Sequence, residues 1–85
     1  MTLPDPSAIA RQLDLRRTPC PLNLIRARLT LETLGPGDWL QLDLDPGEPE
    51  ESVAEGLRQA GHGVQAVAHP EAPAAVRLLV QRDGG

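Results

Sequence analysis

Trp39-Leu40-Gln41-Leu42-Asp43-Leu44-Asp45 alternates strictly. Leu40, Leu42 and Leu44 fall on one side, and Trp39, Gln41 and Asp43 on the other. A period of two residues is the signature of a strand with one dry face and one wet face. A sheet with helices on both faces would give continuously apolar strands instead. This stretch therefore predicts a two-layer sandwich, with the helices gathered on the face that the leucines line.

The neighbouring segments agree. Leu13 and Leu15 alternate with Gln12, Asp14 and Arg16, and Ile9 and Arg11 continue their side, which predicts a first strand near 11–16. Thr18-Pro19-Cys20-Pro21 is a stiff connection, because a residue before proline is pushed out of the helical region. A helix follows. Leu22, Ile25, Leu29 and Thr33 form its expected buried stripe, widened by Leu31 and Leu34, with Arg26, Arg28 and Glu32 toward solvent. Gly35-Pro36-Gly37 ends it, with Gly35 expected at the left-handed closing position.

Asp45-Pro46-Gly47-Glu48-Pro49 is a turn. A second helix from Glu50 to Ala60 should bury Val53, Leu57 and Ala60, and Gly61 should close it. Its acidic start, Glu48, Glu50 and Glu51, suits the positive end of a helix dipole. Gly56 inside it costs about 1 kcal/mol relative to Ala. Val64–Ala68 reads as a third strand, 69–74 as a loop in which His69 is solvated, and Ala75–Arg82 as a fourth strand. In that strand Val76, Leu78 and Val80 point inward and Arg77, Leu79 and Gln81 outward. The fold class is thus α+β, a β-α-β-α-β-β two-layer sandwich whose mixed four-stranded sheet carries both helices on one face. Residues 1–8 read as a flexible arm, 9–82 as a single domain and 83–85 as a frayed end. On the outer sheet face Trp39, Leu79 and Val67 would mark a partner surface if they were contiguous.

Composition excludes several functions. The chain has 85 residues and a net charge of −4, which argues against direct, stable nucleic-acid binding. Trp39 is its only aromatic residue, too little for a base-stacking platform. All eight basic residues are Arg, so lysine-dependent chemistry is absent. Met1–Ser7 has no basic and apolar signal-peptide regions, and the apolar runs are too short to span a membrane. The expectation is a soluble cytoplasmic domain with no cofactor. No metal site is expected either, because Cys20, His62 and His69 are not spaced as one.

Cys20 is the only cysteine, so no intrachain disulfide can form. If Pro21 opens the helix, Cys20 is its N-cap, beside the free N–H groups of Leu22 and Asn23. Those amides and the helix dipole favour an anionic sulfur, and Arg16 and Arg17 just upstream could add positive potential. The bland reading is a small buried hydrophobe whose flanking prolines only shape the turn. Against it, cysteine is a poor structural cap compared with Ser, Thr, Asp or Asn. Other polar residues have plain readings: His62 opens the third strand, and the Glu48–Glu51 cluster is a solvated helix start. Asp43 and Asp45 share a face as if paired, with nothing to make them a hydrolytic site. Arg26 and Arg28 are either solvated or meet an acidic partner or a tRNA edge.

Leu13-Asp14-Leu15-Arg16, Cys20-Pro21-Leu22-Asn23, Leu34-Gly35-Pro36-Gly37-Asp38, Leu44-Asp45-Pro46 and Gly61-His62 together resemble the TusA/SirA-like sulfur-carrier family. The resemblance runs in register from about Leu13 to Arg82. It implies the same β-α-β-α-β-β fold. It also implies that Cys20 carries sulfur as a persulfide, taken from a donor such as a cysteine desulfurase and passed to an acceptor protein, as in tRNA thiolation or another sulfur-transfer pathway. Pro21, Leu22, Asn23, Arg16 and Arg17 would shape that site. Two departures stand out. Arg17 replaces the family's glycine before the cysteine, and Asn23 replaces the second proline of its Cys-Pro-x-Pro motif. Asn23 has an N–H that proline lacks, so the expectation is a sulfur held more firmly as an anion, with a more depressed thiolate pKa. The rival readings are a non-catalytic interaction module on the same fold with Cys20 structural, and a thiol redox switch that forms mixed or intermolecular disulfides.

Overall fold

Leu40, Leu42 and Leu44 are fully buried, while Trp39, Gln41 and Asp43 between them are only half-buried. The structure is a computed structural model that describes residues 8–69 and 74–83. Its elements run β1 (Ile9–Asp14), α1 (Leu22–Glu32), β2 (Trp39–Leu44), α2 (Glu48–Gln59), β3 (Gly63–Ala68) and β4 (Val76–Gln81). The four-stranded sheet has the order β1-β2-β4-β3. β1 and β2 are parallel, and β4 runs antiparallel to both β2 and β3, so the sheet is mixed.

Register explains the core. Leu40, Leu42 and Leu44 lie opposite Val80, Leu78 and Val76. Ala27, Leu31 and Leu34 from the α1 segment and Val53, Ala54 and Leu57 from α2 join the same cluster. Both helices therefore cover one face. Each buried aliphatic side chain contributes about 1.5–3 kcal/mol of transfer free energy, the principal driving term in so small a chain.

Several local expectations are corrected. β1 begins at Ile9 rather than Arg11. A register irregularity between Ile9 and Arg11 aligns Ile9 with outer-face Trp39 while Leu13 aligns with inner-face Leu42, so Ile9 and Leu13 do not share a face. α1 buries Asn23, Ala27 and Leu31, with Leu34 just beyond it. The expected stripe points the other way: Leu22, Ile25 and Leu29 are 51%, 45% and 58% exposed. Apolar residues lie all round this helix, so periodicity admitted two faces, and small Ala27 marks the one that approaches the sheet closely. The left-handed glycine after α1 is Gly37 (φ 85), not Gly35. The last turn closes instead through Thr33 and Leu34 N–H groups donating to Thr30 and Leu31 carbonyls.

α2 starts at Glu48, two residues earlier than expected, with Pro49 in its first turn. It buries Ala54 and leaves Ala60 exposed, because Ala60 already caps the end; Gly61 closes it at φ 96. On the outer face Leu79 is buried, with Gln41 and Gln65 as its register partners and Trp39 and Val67 diagonal to it. Trp39 and Val67 are half-buried, so no large exposed patch forms there. The expected arm over residues 1–8, the loop tip at 70–73 and the end at 84–85 lie outside the described residues, except for Ala8.

Candidate functional site

The chain leaving β1 folds back on itself before α1. Leu15 is fully buried, and its N–H donates to the Asp43 carbonyl at 2.8 Å, which extends the sheet register by one residue. Arg16 wraps onto Asp14: its N–H and Nε donate to Oδ1 at 3.1 and 2.9 Å, and its Nη2 to Oδ2 at 2.8 Å. Those hydrogen bonds lower the Asp14 carboxyl pKa to about 2 and raise that of the guanidinium. Arg17 adopts φ 63, the left-handed region, and its N–H donates to Asp45 Oδ2 at 2.9 Å. The Thr18 N–H then returns to the Leu15 carbonyl at 3.1 Å, and the segment reaches Pro19 and Cys20.

Cys20 is exposed. It follows the turn from β1 and immediately precedes a cis peptide bond to Pro21. The expected capping geometry is corrected here. α1 begins at Leu22, and its N-cap is Pro21 with no side-chain cap, so Cys20 stands one residue outside the helix. The helical ladder opens with the Ile25 N–H donating to the Pro21 carbonyl at 3.0 Å, which makes Pro21 the first acceptor. Nor is the Asn23 amide left for the sulfur. Its N–H donates to the Pro19 carbonyl at 3.1 Å, and its side-chain Oδ1 accepts from the Leu24 N–H at 2.7 Å. The Asn23 side chain is fully buried, and its Nδ2 has no hydrogen-bond partner.

Cys20 Sγ lies 3.9 Å from Ser52 Oγ on α2, within hydrogen-bond reach for a sulfur atom. Sequence reasoning missed Ser52, since only the packing of the two helix heads brings residues so far apart in the chain together. Arg16 and Arg17 do not pair with Cys20. They line a concavity of ≈ 430 Å³ with Asp14, Asp45, Ala74 and Ala75, and Cys20 is not part of that lining. Of the predicted residues, then, Cys20, Pro21, Leu22 and Asn23 form one helix entrance, and Arg16 and Arg17 support the preceding turn.

The remaining polar candidates are structural. His62 Nδ1 accepts from the Asp83 N–H at 3.0 Å at the start of β3. His69, expected to be solvated, is corrected to nearly buried, with its side chain 8% exposed. Its Nε2 lies 3.4 Å from Asp43 Oδ2 and 3.3 Å from Arg77 Nη2. Arg77 Nε donates to Asp43 Oδ1 at 2.9 Å across the register pair that joins β2 to β4. Asp43 is thus engaged by a cation rather than by Asp45. Among the described residues no three His, Cys, Asp or Glu side chains gather as a metal site, and no helix is long and apolar enough to cross a membrane.

The chain superposes on the crystal structure of a SirA-like protein from Desulfitobacterium hafniense with a TM-score of 0.74. The match is 16% identical in sequence and covers 86% of this chain and 97% of that one, which shows a shared fold. No curated protein matches by sequence. The model of the family described as Sulfurtransferase TusA matches residues 11–82, which run from within β1 past the end of β4 and include the whole Cys20 entrance. With a shared fold and a family match over nearly its full length, the chain belongs to the TusA sulfurtransferase family.

Proposed function

We propose that this protein is a sulfur carrier, a single domain over residues 9–82 whose working atom is Cys20 Sγ. The observation that supports the reading best is the exposure of this one thiol at the entrance to α1 in a chain of this family. In the loading step the Cys20 thiolate attacks the terminal sulfur of a donor persulfide. A new S–S bond forms on Cys20, the donor S–S bond breaks, and the donor leaves as its thiolate. In the delivery step an acceptor thiolate attacks the same terminal sulfur and restores Cys20. The two steps are the same exchange in opposite directions, so no external oxidant, metal or cofactor is required.

Among the described residues the side chain that hydrogen-bonds Cys20 is Ser52, so the donor and acceptor supply the remainder of each site. The donor is a cysteine desulfurase or a similar persulfide-bearing protein. The acceptor belongs to tRNA thiolation or another sulfur-transfer pathway, and the carrier works in the cytoplasm.

Intact-mass measurement tests this directly. Incubation with a cysteine desulfurase and cysteine, or with a small persulfide donor, should add one sulfur atom to the native chain and none to Cys20→Ser. A native chain that alkylates rapidly but takes up no sulfur from either source would overturn the reading.

A further inference from the structure

We propose that two copies of this protein join edge to edge through β3, so that their sheets continue across a two-fold axis and their α2 helices pack antiparallel over the seam. This surface lies on the side of α2 away from Cys20, and the proposal stands apart from the sulfur-carrier reading.

The strand order β1-β2-β4-β3 leaves β1 and β3 as the edges of the sheet. An edge strand presents unpaired N–H and C=O groups to any strand that approaches, and proteins blunt such edges with charge, proline or a bulge. β1 is blunted: it carries Arg11 and Asp14, and its register shifts between Ile9 and Arg11. β3 has none of these devices. Gly63-Val64-Gln65-Ala66-Val67-Ala68 holds no charge and no proline, and it pairs with β4 over all six residues without a shift. Among the described residues no strand pairs with its other side. Ala66 and Ala68 lie opposite Leu78 and Val76, on the helix-bearing face, yet both are exposed. Side chains this small let another strand and its helix come close.

The α2 helix identifies a second copy as the occupant. It packs over β3 and β4, beside α1. Its Ser52 and Gly56 face α1, where they meet Cys20 and Leu24. At 3.6 residues per turn, Glu51, Ala54 and Arg58 then fall on the opposite side, toward the β3 edge. A two-fold axis beside β3 runs the two helices antiparallel and sets Glu51 of each copy against Arg58 of the other, with the small Ala54 of both between them. Among the described residues neither Glu51 nor Arg58 has an ion-pair partner in its own chain. Spacing agrees with charge. Continuing the sheet by one strand interval of about 4.8 Å sets the two α2 axes about 10 Å apart, the ordinary distance between packed helices. An unrelated extended peptide satisfies the strand edge but leaves Glu51 and Arg58 unmatched. The contact is small, so the dimer belongs in the micromolar range.

The test is sedimentation equilibrium of the full chain, under reducing conditions, from about 1 μM to about 1 mM. We expect a monomer–dimer equilibrium that Cys20→Ser leaves unchanged. Ala66→Lys, which puts like charges at the seam, should raise the dissociation constant about tenfold or more. Glu51→Arg and Arg58→Glu should each do the same, because each sets like charges across the helix pair. The double exchange Glu51→Arg/Arg58→Glu should return to within about threefold of native, and an equimolar mixture of the two single variants should form heterodimers. The last two results come only from folded chains, so they separate a lost interface from a lost fold. A native chain that stays monomeric to about 1 mM overturns the proposal. So does a dimer indifferent to Ala66→Lys, one abolished by Cys20→Ser, or a double exchange as weak as the single variants.

Discussion

Arg17, at φ 63, donates its backbone N–H to Asp45 Oδ2 at 2.9 Å, so the carboxylate after β2 holds the turn after β1 in a left-handed conformation. The family pattern has glycine at this position, and the backbone shows why. A side chain there costs about 1–2 kcal/mol, which glycine avoids. Arg17→Gly should therefore stabilise the protein by about 0.5–1 kcal/mol, after the extra freedom glycine gives the unfolded chain is allowed for. Asp45→Ala should destabilise it by about 1–2 kcal/mol by removing the acceptor. Urea unfolding of the three proteins checks both signs. A less stable Arg17→Gly would mean that the turn draws on the arginine side chain and not on its backbone.

Gly56 is a separate case of a glycine with a packing reason. A Cβ built there would lie 2.8 Å from Leu24 Cδ2 and 3.1 Å from Cδ1, so the absent methyl lets the start of α1 pack against the C-terminal half of α2. Gly56→Ala gains about 1 kcal/mol of helix propensity and loses more to that overlap. We expect it to destabilise the native chain by about 1 kcal/mol, but to stabilise the Leu24→Ala background, where the overlap is gone. Thermal or urea melts of the four-member cycle measure the coupling. Equal effects of Gly56→Ala in the two backgrounds would show that the contact is not what the glycine serves.

The strands were legible because two-residue alternation has one solution when one face is dry: Leu40, Leu42, Leu44, Leu78 and Val80 all lie where the pattern places them. The turn at Gly61 and the acidic start of α2 were legible for the same local reason. α1 was not, because its leucines and isoleucine surround it and only the sheet decides which side is covered. His69 and Ser52 were illegible for a different reason. Each acquires its surroundings from a residue distant in sequence, Asp43 and Cys20 respectively, through strand register and helix packing that no local pattern encodes. Cys20 could be singled out as the only thiol, but its capping role could not be settled by the Cys-Pro step, since the first helical acceptor proved to be Pro21.

Asp14 should give the protein a modest acid-sensitive increment of stability. Its pKa is lowered from 3.8 to about 2, chiefly by the Arg16 side-chain hydrogen bonds. A depressed folded-state value means that the stabilisation is present above the ordinary value and is lost as pH falls through the window from about 4 to about 2. Both side chains are well exposed, so solvent screening holds the contribution to about 0–1 kcal/mol. Urea midpoints of native and Asp14→Asn chains should differ by a constant amount above pH about 4 and converge toward pH about 2. A difference that does not change with pH across that window would assign the effect to something other than the charged pair.

Asn23 provides the sharpest contrast between pattern and geometry. As a departure from the family's second proline it was expected to present an extra N–H to the sulfur, but that N–H is bound to the Pro19 carbonyl and the side chain turns into the core. Its effect should therefore fall on stability and not on Cys20. Asn23→Pro removes the buried Nδ2 that lacks a partner, a group whose burial costs about 1–3 kcal/mol. It also gives up the hydrogen bonds to Pro19 and from Leu24, at a position in the first turn where proline is tolerated. These changes oppose one another, so the net change in stability should stay within about 1 kcal/mol. Meanwhile the profiles of Cys20 alkylation rate against pH should superimpose for the native chain and Asn23→Pro. A profile displaced along the pH axis in the proline variant would return the Asn23 amide to the sulfur and contradict the hydrogen bonding described for the helix entrance.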